Sequence, residues 1–329
     1  MNQHPLCHVA GLGQALPGAP ISNAELIRRY GLESTPEWIE TRTGIRQRFF
    51  VGPGETTATL AAAAAQQALV QAKLAPSQVG AVVVATCTPD YTFPSVATLV
   101  QAALGLPVGI PALDVNAACS GFIAALSVAQ GWFATQPGLE AVLVIGAETF
   151  SNVLDFTDRS TCVLFGDGAG AMVLRRNRPG QTNGLLALAQ GADGRQAGLL
   201  HSAHGVARGR VAGTVQMDGA AVFKHAVRQM GDQAQVAALL AQSGHTLADL
   251  AWLVPHQANA RILAAAGEAL GLAAERVVMT VAEHANTSAA SIPLALATAQ
   301  QQGQFQPGEL VLLQAFGAGF TWGMASLRW

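Results

Sequence analysis

The sequence predicts an α/β protein with largely parallel sheets, built as two copies of one βα unit. Three observations carry this expectation. Helical stretches alternate with short β-rich runs along the whole chain, matching strands in the two halves lead into small-residue turns that open helices, and each half closes on a glycine-punctuated apolar segment. Half of the 329 residues are apolar and only 12% are charged, so a large dry core can be buried.

In the first half, the apolar run Ala81 to Ala85 has the length of a buried strand and leads through Cys87 into a helical stretch from Ser95 to Ala103, stopped at Leu104-Gly105. DVNAACSGFIAALSVAQ (114–130) follows, an extended segment that becomes a small-residue helix start at Cys119. VLFGDGAGAMVL (163–174) is expected as a strand pair; its GDGAG lacks the Lys-Ser/Thr of a phosphate loop and lies between apolar runs, which favours a tight hairpin. In the second half, Ala251 to Val254 leads through His256 into a helix over Asn259 to Ala269, ending at Leu270-Gly271. TVAEHANTSAASIPLALATAQ (280–300) then repeats the strand, turn and helix with Asn286 in the turn, and LLQAFGAGFTWGMASL (312–327) closes the half. Cys87 and Cys119 are 32 positions apart, His256 and Asn286 are 30, so the halves are expected as domains 1–176 and 177–329 about a pseudo-twofold axis. Ligands in such sheets collect beyond the carboxyl ends of the strands, which brings Cys119, His256 and Asn286 to one pocket.

Composition excludes several classes. A net charge of −2, two lysines (Lys73 and Lys224) and no basic run leave no footprint for nucleic acid. Apolar runs such as Ala81 to Ala85 and Ala141 to Ile145 are too short to span a bilayer, the first twenty residues lack a signal-peptide pattern, and the four cysteines are spaced for neither a disulfide scaffold nor a zinc site; a cytoplasmic protein is expected. The histidines lack companions at ligand spacing, so no metal is expected, and His201-Ser202-Ala203-His204 is expected as a solvated loop.

Cys119 carries the first chemical signal. A helix N-terminus presents unpaired N–H groups and a partial positive charge, which favour thiolate and suit a nucleophile that holds an acyl group. Taken singly, Cys119 is better explained as a buried structural thiol, His256 as a core histidine and Asn286 as a helix N-cap. Their convergence through the repeat overturns those explanations.

Long segments sharpen this: TPEWIETRTGIRQR (35–48), DVNAACSGF, TDRSTCVLFGDGAGA, WLVPHQANARI, HANTSAASIPLAL and FGAGFTWG (316–323). Over nearly its full length the chain resembles the thiolase-fold condensing enzymes, and specifically the β-ketoacyl-acyl-carrier-protein synthase III family. The resemblance implies a five-layered αβαβα fold and a catalytic triad of Cys119, His256 and Asn286. It implies that Trp38 and Arg159 sandwich the adenine of coenzyme A with Arg42 at the phosphates, and that Lys224 and Arg261 dock an acidic acyl-carrier protein. Cys87, Phe93, Phe150 and Ala220 would line the acyl pocket, with Phe93 reaching across a homodimer interface. Without the resemblance, Trp38 would read as a partly buried anchor and the arginines as surface ion-pair partners.

The chemistry suits these residue types. A tetrahedral oxyanion at Cys119 needs two N–H donors, expected from Cys119 itself and from Ala318 in the Gly317-Ala318-Gly319 loop. Neutral His256 and the Asn286 amide can stabilise an enolate without protonating it. The expected reaction is a decarboxylating condensation of a short acyl-CoA, acetyl-CoA by preference, with malonyl-acyl-carrier protein, and no permanently bound cofactor. The alternative is a condensing enzyme or acyltransferase of the same fold acting on a dedicated carrier in secondary metabolism. Three departures from the family pattern bear on it: Glu268 and Ala269 replace a frequent Lys pair, Ala220 replaces a frequent Asn, and Phe150 puts a ring where smaller aliphatics are common and should shorten the acyl tunnel.

Overall fold

In the computed structural model, which describes residues 4–209 and 213–329, the apolar runs assemble into two main sheets. The first has the order Cys7–Ala15, Gly168–Arg176, Ala141–Glu148, Ala81–Ala85, Ala112–Val115. The second has the order Gly184–Ala192, Thr321–Arg328, Leu310–Gly317, Leu250–Pro255. Read in these orders, both sheets pair antiparallel, antiparallel, then parallel, so four strands of one half match four of the other. Ala112–Val115 adds a fifth, parallel strand; its counterpart in the second half is a single parallel bridge between Leu253 and Val277.

The expected dominance of parallel pairing is not met: within the two main sheets three pairings are parallel and four antiparallel. Parallel neighbours need a crossover of a dozen residues or more, and the connection from Leu310–Gly317 to Thr321–Arg328 is far too short for one. The expected strand pair at 163–174 is also absent. The strand begins only at Gly168, because the polar groups before it are used elsewhere. The Gly166 N–H donates to the Asn286 carbonyl at 3.0 Å, and the Asp167 N–H to the Phe49 carbonyl at 2.8 Å. The Asp167 carboxyl takes N–H bonds from Val51 and Ser151, each at 2.8 Å. This loop therefore crosses to the second half, where Phe165 bridges to Asn286.

Helices Gly121–Thr135 and Ser291–Gln301 lie between the sheets and are apolar on nearly every face, as a doubly covered layer requires. Their Phe122, Ile123, Leu126, Ile292 and Leu296 share one core with Val83, Val144, Val254 and Leu313 of the two sheets. The stretch Ala118–Thr135 is long and apolar enough to cross a membrane by length and composition, and half of it is buried in this core. Thr57–Gln71 and Val96–Ala103 cover the outer face of the first sheet. Gly219–Met230, Gln233–Ala241 and Ala260–Ala269 cover the second, completing five layers. Thr57–Gln71 begins with a Thr56/Thr59 capping box and approaches Gly11 and Gly13 so closely that a Cβ on either would fall 2.3 or 2.1 Å from a helix carbonyl.

Candidate active site

Beyond Ala112–Val115 the backbone reaches Cys119 through a sharp elbow. Ala118 is held at φ +45°, a left-handed conformation that a non-glycine residue adopts at a cost of ~1–3 kcal/mol, and Ala118–Ser120 form a 3₁₀ turn before helix Gly121–Thr135. The Thr321 hydroxyl donates to the Ala117 carbonyl at 3.0 Å and ties the elbow to the second half. Gly317 packs directly on Cys119: a Cβ there would lie 2.7 Å from the Cys119 nitrogen and 2.9 Å from its Cβ. Gly317→Ala is therefore expected to displace Cys119 and slow acyl loading by ~10–100-fold. Timed intact-mass measurements check this, and loading at the wild-type rate would show that the elbow tolerates the contact.

The sequence led us to expect a thiolate at the helix start, but the fold places the thiol otherwise. Cys119 is 6% exposed, and burial pushes its thiol up to about 12; the Ser288 hydroxyl and its own N–H pull the other way, and the nearby Glu148 carboxyl adds to the rise. Desolvation of the charged form outweighs the helix end, so the resting group is a thiol.

His256 leaves the carboxyl end of strand Leu250–Pro255, its N–H bonded to the Gln314 carbonyl at 2.8 Å and its Nδ1 2.6 Å from Ser291 Oγ. Ser291 Oγ already accepts the Gln257 N–H at 3.3 Å, so its own proton is available to Nδ1, which leaves Nε2–H as the donor. Burial pushes the imidazole down to about 4. Above the unfolded value of 6.5, His256 is neutral in both states. As pH falls from 6.5 to about 4 the unfolded chain binds a proton that the folded one refuses, so stability drops across that window by about 3 kcal/mol. His284, also lowered by burial, adds with the same sign. Denaturant melts from pH 7 to 4.5 should show this decline, flattened in His256→Gln; parallel curves for the two proteins would contradict a buried neutral imidazole.

Asn286 is fixed from both sides of its backbone, its N–H donating to the Leu164 carbonyl at 3.0 Å while its carbonyl takes the Gly166 N–H. Its Oδ1 accepts the Ser288 N–H at 2.9 Å, which assigns the oxygen and leaves Nδ2 as the side chain's donor. Ala285 at φ +58° and Ser288 at φ +48° flank it, so left-handed non-glycine residues bracket Asn286 as Ala118 precedes Cys119.

Cys119, His256 and Asn286 line one cavity of about 600 Å³ together with Phe316 and Gly317. Trp38, Arg42, Arg159, Arg261 and Ala220 border the same cavity. The Arg159 guanidinium lies 5.2 Å over the Trp38 ring and bonds the Glu33 carbonyl, and Arg261 lies 5.2 Å over Phe223. Lys224 is exposed beside Phe223 and does not line the cavity. A second cavity of about 250 Å³ also reaches Cys119, and Cys87, Phe150 and Ala318 line it. Phe150 stacks on Phe165 there, centroids 4.7 Å apart. Ala220 thus borders the larger cavity and not the smaller one, because it sits in the first turn of Gly219–Met230. Phe93 lines neither and is 84% exposed. His201, expected in a loop, belongs to the short strand Leu200–Ser202, pairs with Val215–Met217 and borders the smaller cavity.

Sequence reasoning missed Glu148, Ser288, Ser291 and Gln257. Glu148 carried a readable signal, a single acid ending the otherwise apolar strand Ala141–Glu148; the other three are polar residues whose partners are distant in sequence. Among the described residues no cluster suited to a metal ion is found.

Matching α/β halves that meet through a central helix pair and share one pocket are the architecture of the thiolase-fold condensing enzymes. Residues 113–194 match the family described as 3-oxoacyl-[acyl-carrier-protein (ACP)] synthase III, and residues 240–329 match its C-terminal part. The chain is 51% identical to the β-ketoacyl-[acyl-carrier-protein] synthase III of Rhizorhabdus wittichii, over 98% of both chains. It superposes with a TM-score of 0.90 on the crystal structure of 3-oxoacyl-(acyl carrier protein) synthase III from Pseudomonas aeruginosa, at 43% identity and 98% coverage of both. The corresponding Aquifex aeolicus structure gives 0.90 at 40% identity, covering 98% of this chain and all of that one. The chain belongs to the β-ketoacyl-acyl-carrier-protein synthase III family.

Proposed function

We propose that this protein condenses a short acyl-CoA primer, acetyl-CoA by preference, with malonyl-acyl-carrier protein, releasing CO2 and forming the 3-oxoacyl-carrier that begins fatty-acid synthesis. The observation that carries this is the meeting of Cys119, His256 and Asn286 at one cavity, with a smaller cavity opening from the same cysteine.

In the first half-reaction Cys119 attacks the acyl thioester, the N–H groups of Cys119 and Ala318 hold the oxyanion, and the thiol proton leaves with coenzyme A. In the second, the malonyl group loses CO2, and the enolate oxygen takes hydrogen bonds from His256 Nε2 and Asn286 Nδ2. The enolate carbon then attacks the stored acyl group and expels Cys119, which regains a proton. A neutral imidazole and an amide are donors too weak to quench the carbanion, and the buried site limits its protonation by water. The Phe150–Phe165 stack keeps the smaller cavity short, which supports a small primer.

The Trp38–Arg159 pair and Arg42 border the larger cavity as a base platform and a phosphate contact suited to coenzyme A. Lys224 and Arg261 offer the carrier protein a thin basic patch, with Glu268 exposed and opposite in sign. A homodimer is supported by the edge strand Ala112–Val115 and by the exposed apolar Phe93, Val108 and Leu113. We assign the halves to 1–176 and 177–329, and the protein to the cytoplasm, in keeping with four free cysteines. Relatives at about half identity are named β-ketoacyl-[acyl-carrier-protein] synthase III, which supports an acyl-carrier protein as the partner; turnover on the fatty-acid carrier and on a dedicated one separates the two readings.

Intact-mass analysis after incubation with a panel of acyl-CoAs tests the primer. An acetyl increment on Cys119 is expected. Loading by long acyl-CoA with none by acetyl-CoA would sink the assignment.

A further inference from the structure

Glu148 is a buried acid that the reaction above does not use. It ends strand Ala141–Glu148, has no exposed surface, and receives four donors. These are the Cys87 N–H at 3.1 Å, Thr86 Oγ1 at 3.2 Å, Thr88 Oγ1 at 2.6 Å and the Cys87 thiol at 3.1 Å. Thr86 Oγ1 accepts the Thr88 N–H at 3.1 Å and Thr88 Oγ1 accepts the Thr149 N–H at 2.9 Å, so each turns its own proton to Glu148. Burial is the largest influence and holds the carboxyl above its ordinary range, while these donors and the Ser288 hydroxyl pull it back down; donors meet both of its oxygens, which is the arrangement that suits a carboxylate. No Lys or Arg pairs with it among the described residues.

Cys87 is the thin partition between this charge and the smaller cavity, since the same thiol that bonds Glu148 lines the space beside Cys119. Among the described residues no lysine or arginine lines that cavity, and its titratable members are Cys87, Cys119 and His201. A neutral acyl chain meets no penalty there. A chain ending in a carboxylate would bring a second negative charge toward a buried one with no counter-ion, and like charges in a poorly solvated site repel strongly.

We infer that Glu148 makes this site selective for uncharged acyl groups, its carboxylate excluding chains that end in a carboxylate from Cys119. The two substrates of the proposed reaction differ in this property, because the malonyl thioester is anionic and the primer is not. The buried charge thus guards the nucleophile against being loaded with the wrong partner. The inference rests on the reading that Cys119 takes its acyl group into the smaller cavity.

The test compares loading of Cys119 by acetyl-CoA, butyryl-CoA, succinyl-CoA and the neutral amide of succinyl-CoA, in the wild type and in Glu148→Gln, by timed intact-mass measurement. Each reaction is a thioester exchange in which the acyl group moves to the Cys119 sulfur and coenzyme A leaves as the thiol. The wild type should load the amide at least tenfold faster than succinyl, and Glu148→Gln should narrow that ratio by roughly 10- to 30-fold while leaving the acetyl-to-amide ratio unchanged. Equal wild-type rates for succinyl and its amide would overturn the inference, as would an unchanged ratio in the variant. Failure of every four-carbon group to load would overturn it too, since size and not charge would then exclude succinyl. Should Glu148→Gln not fold, Glu148→Asp replaces it: the shorter side chain draws the charge back from the cavity and should narrow the same ratio, and an unchanged ratio would overturn the inference. Absence of acetyl loading would strike the primer reading instead.

Discussion

Cys119→Ala is expected to eliminate acyl loading and to lower condensation by at least ~10³-fold, because the acyl group must be held covalently while the second substrate is decarboxylated. Cys119 is the thiol that reaches both cavities, one suited to the carrier arms and the other to the acyl chain. Cys87 is the only other cysteine lining either space, and it is a poor substitute. Its thiol donates to Glu148, and burial together with that carboxyl pushes it well above the usual thiol range. Serine at 119 should fare little better, since a hydroxyl in a site that already holds a buried thiol protonated ionises less readily still. The measurement is intact mass after incubation with acetyl-CoA, followed by peptide mapping of any adduct. Wild-type loading of the alanine variant, or an adduct mapped to Cys87, would remove Cys119 from its assigned role.

Asn286→Ala and His256→Ala are expected to separate the half-reactions. Each should leave acyl loading within a few-fold of wild type while slowing malonyl decarboxylation by ~10²–10³-fold, the cost of removing one preorganised donor from a developing oxyanion. In the proposed mechanism the asymmetry follows from where the charge forms: Cys119 and Ala318 would serve the acyl oxyanion, while His256 and Asn286 would serve the enolate. Both side chains have one polar end occupied, by Ser291 Oγ in the first case and by the Ser288 N–H in the second, so each offers one donor to substrate. The double variant should show less than the sum of the two effects, because both donors act on one oxygen. Release of labelled CO2 measures decarboxylation and intact mass measures loading. Equal loss of both activities in the single variants would mean that they damage the site as a whole.

The pairing of Cys119 with His256 and Asn286 was legible because the chain repeats itself. A strand, a small-residue turn and a helix recur at nearly constant spacing, and local pattern is what a sequence displays directly. The helix expected over Asn259 to Ala269, found at Ala260–Ala269, and the small-residue turn opening Gly121–Thr135 were visible for the same reason. Strand direction was not, because the pairing of Cys7–Ala15 with Gly168–Arg176 joins segments more than 150 positions apart and depends on their connections. The loop 163–167 looked like half of a hairpin because apolar and glycine residues alternate there; its polar groups are claimed by Phe49, Ser151 and Asn286, which only the folded chain brings near.

The amino-acid sequence by itself determined the doubled α/β plan, the meeting of Cys119, His256 and Asn286 at one pocket and the family to which the chain belongs, since these reside in short motifs and their spacing. Tertiary structure alone decided the chemical state of those residues. Burial holds Cys119 as a thiol against the pull of its helix and keeps His256 neutral far below its ordinary range. It also brings the unforeseen Glu148 behind the wall of the smaller cavity. The physical reason is desolvation: a charge costs little or much according to which groups the fold packs around it, and those groups arrive from every part of the chain.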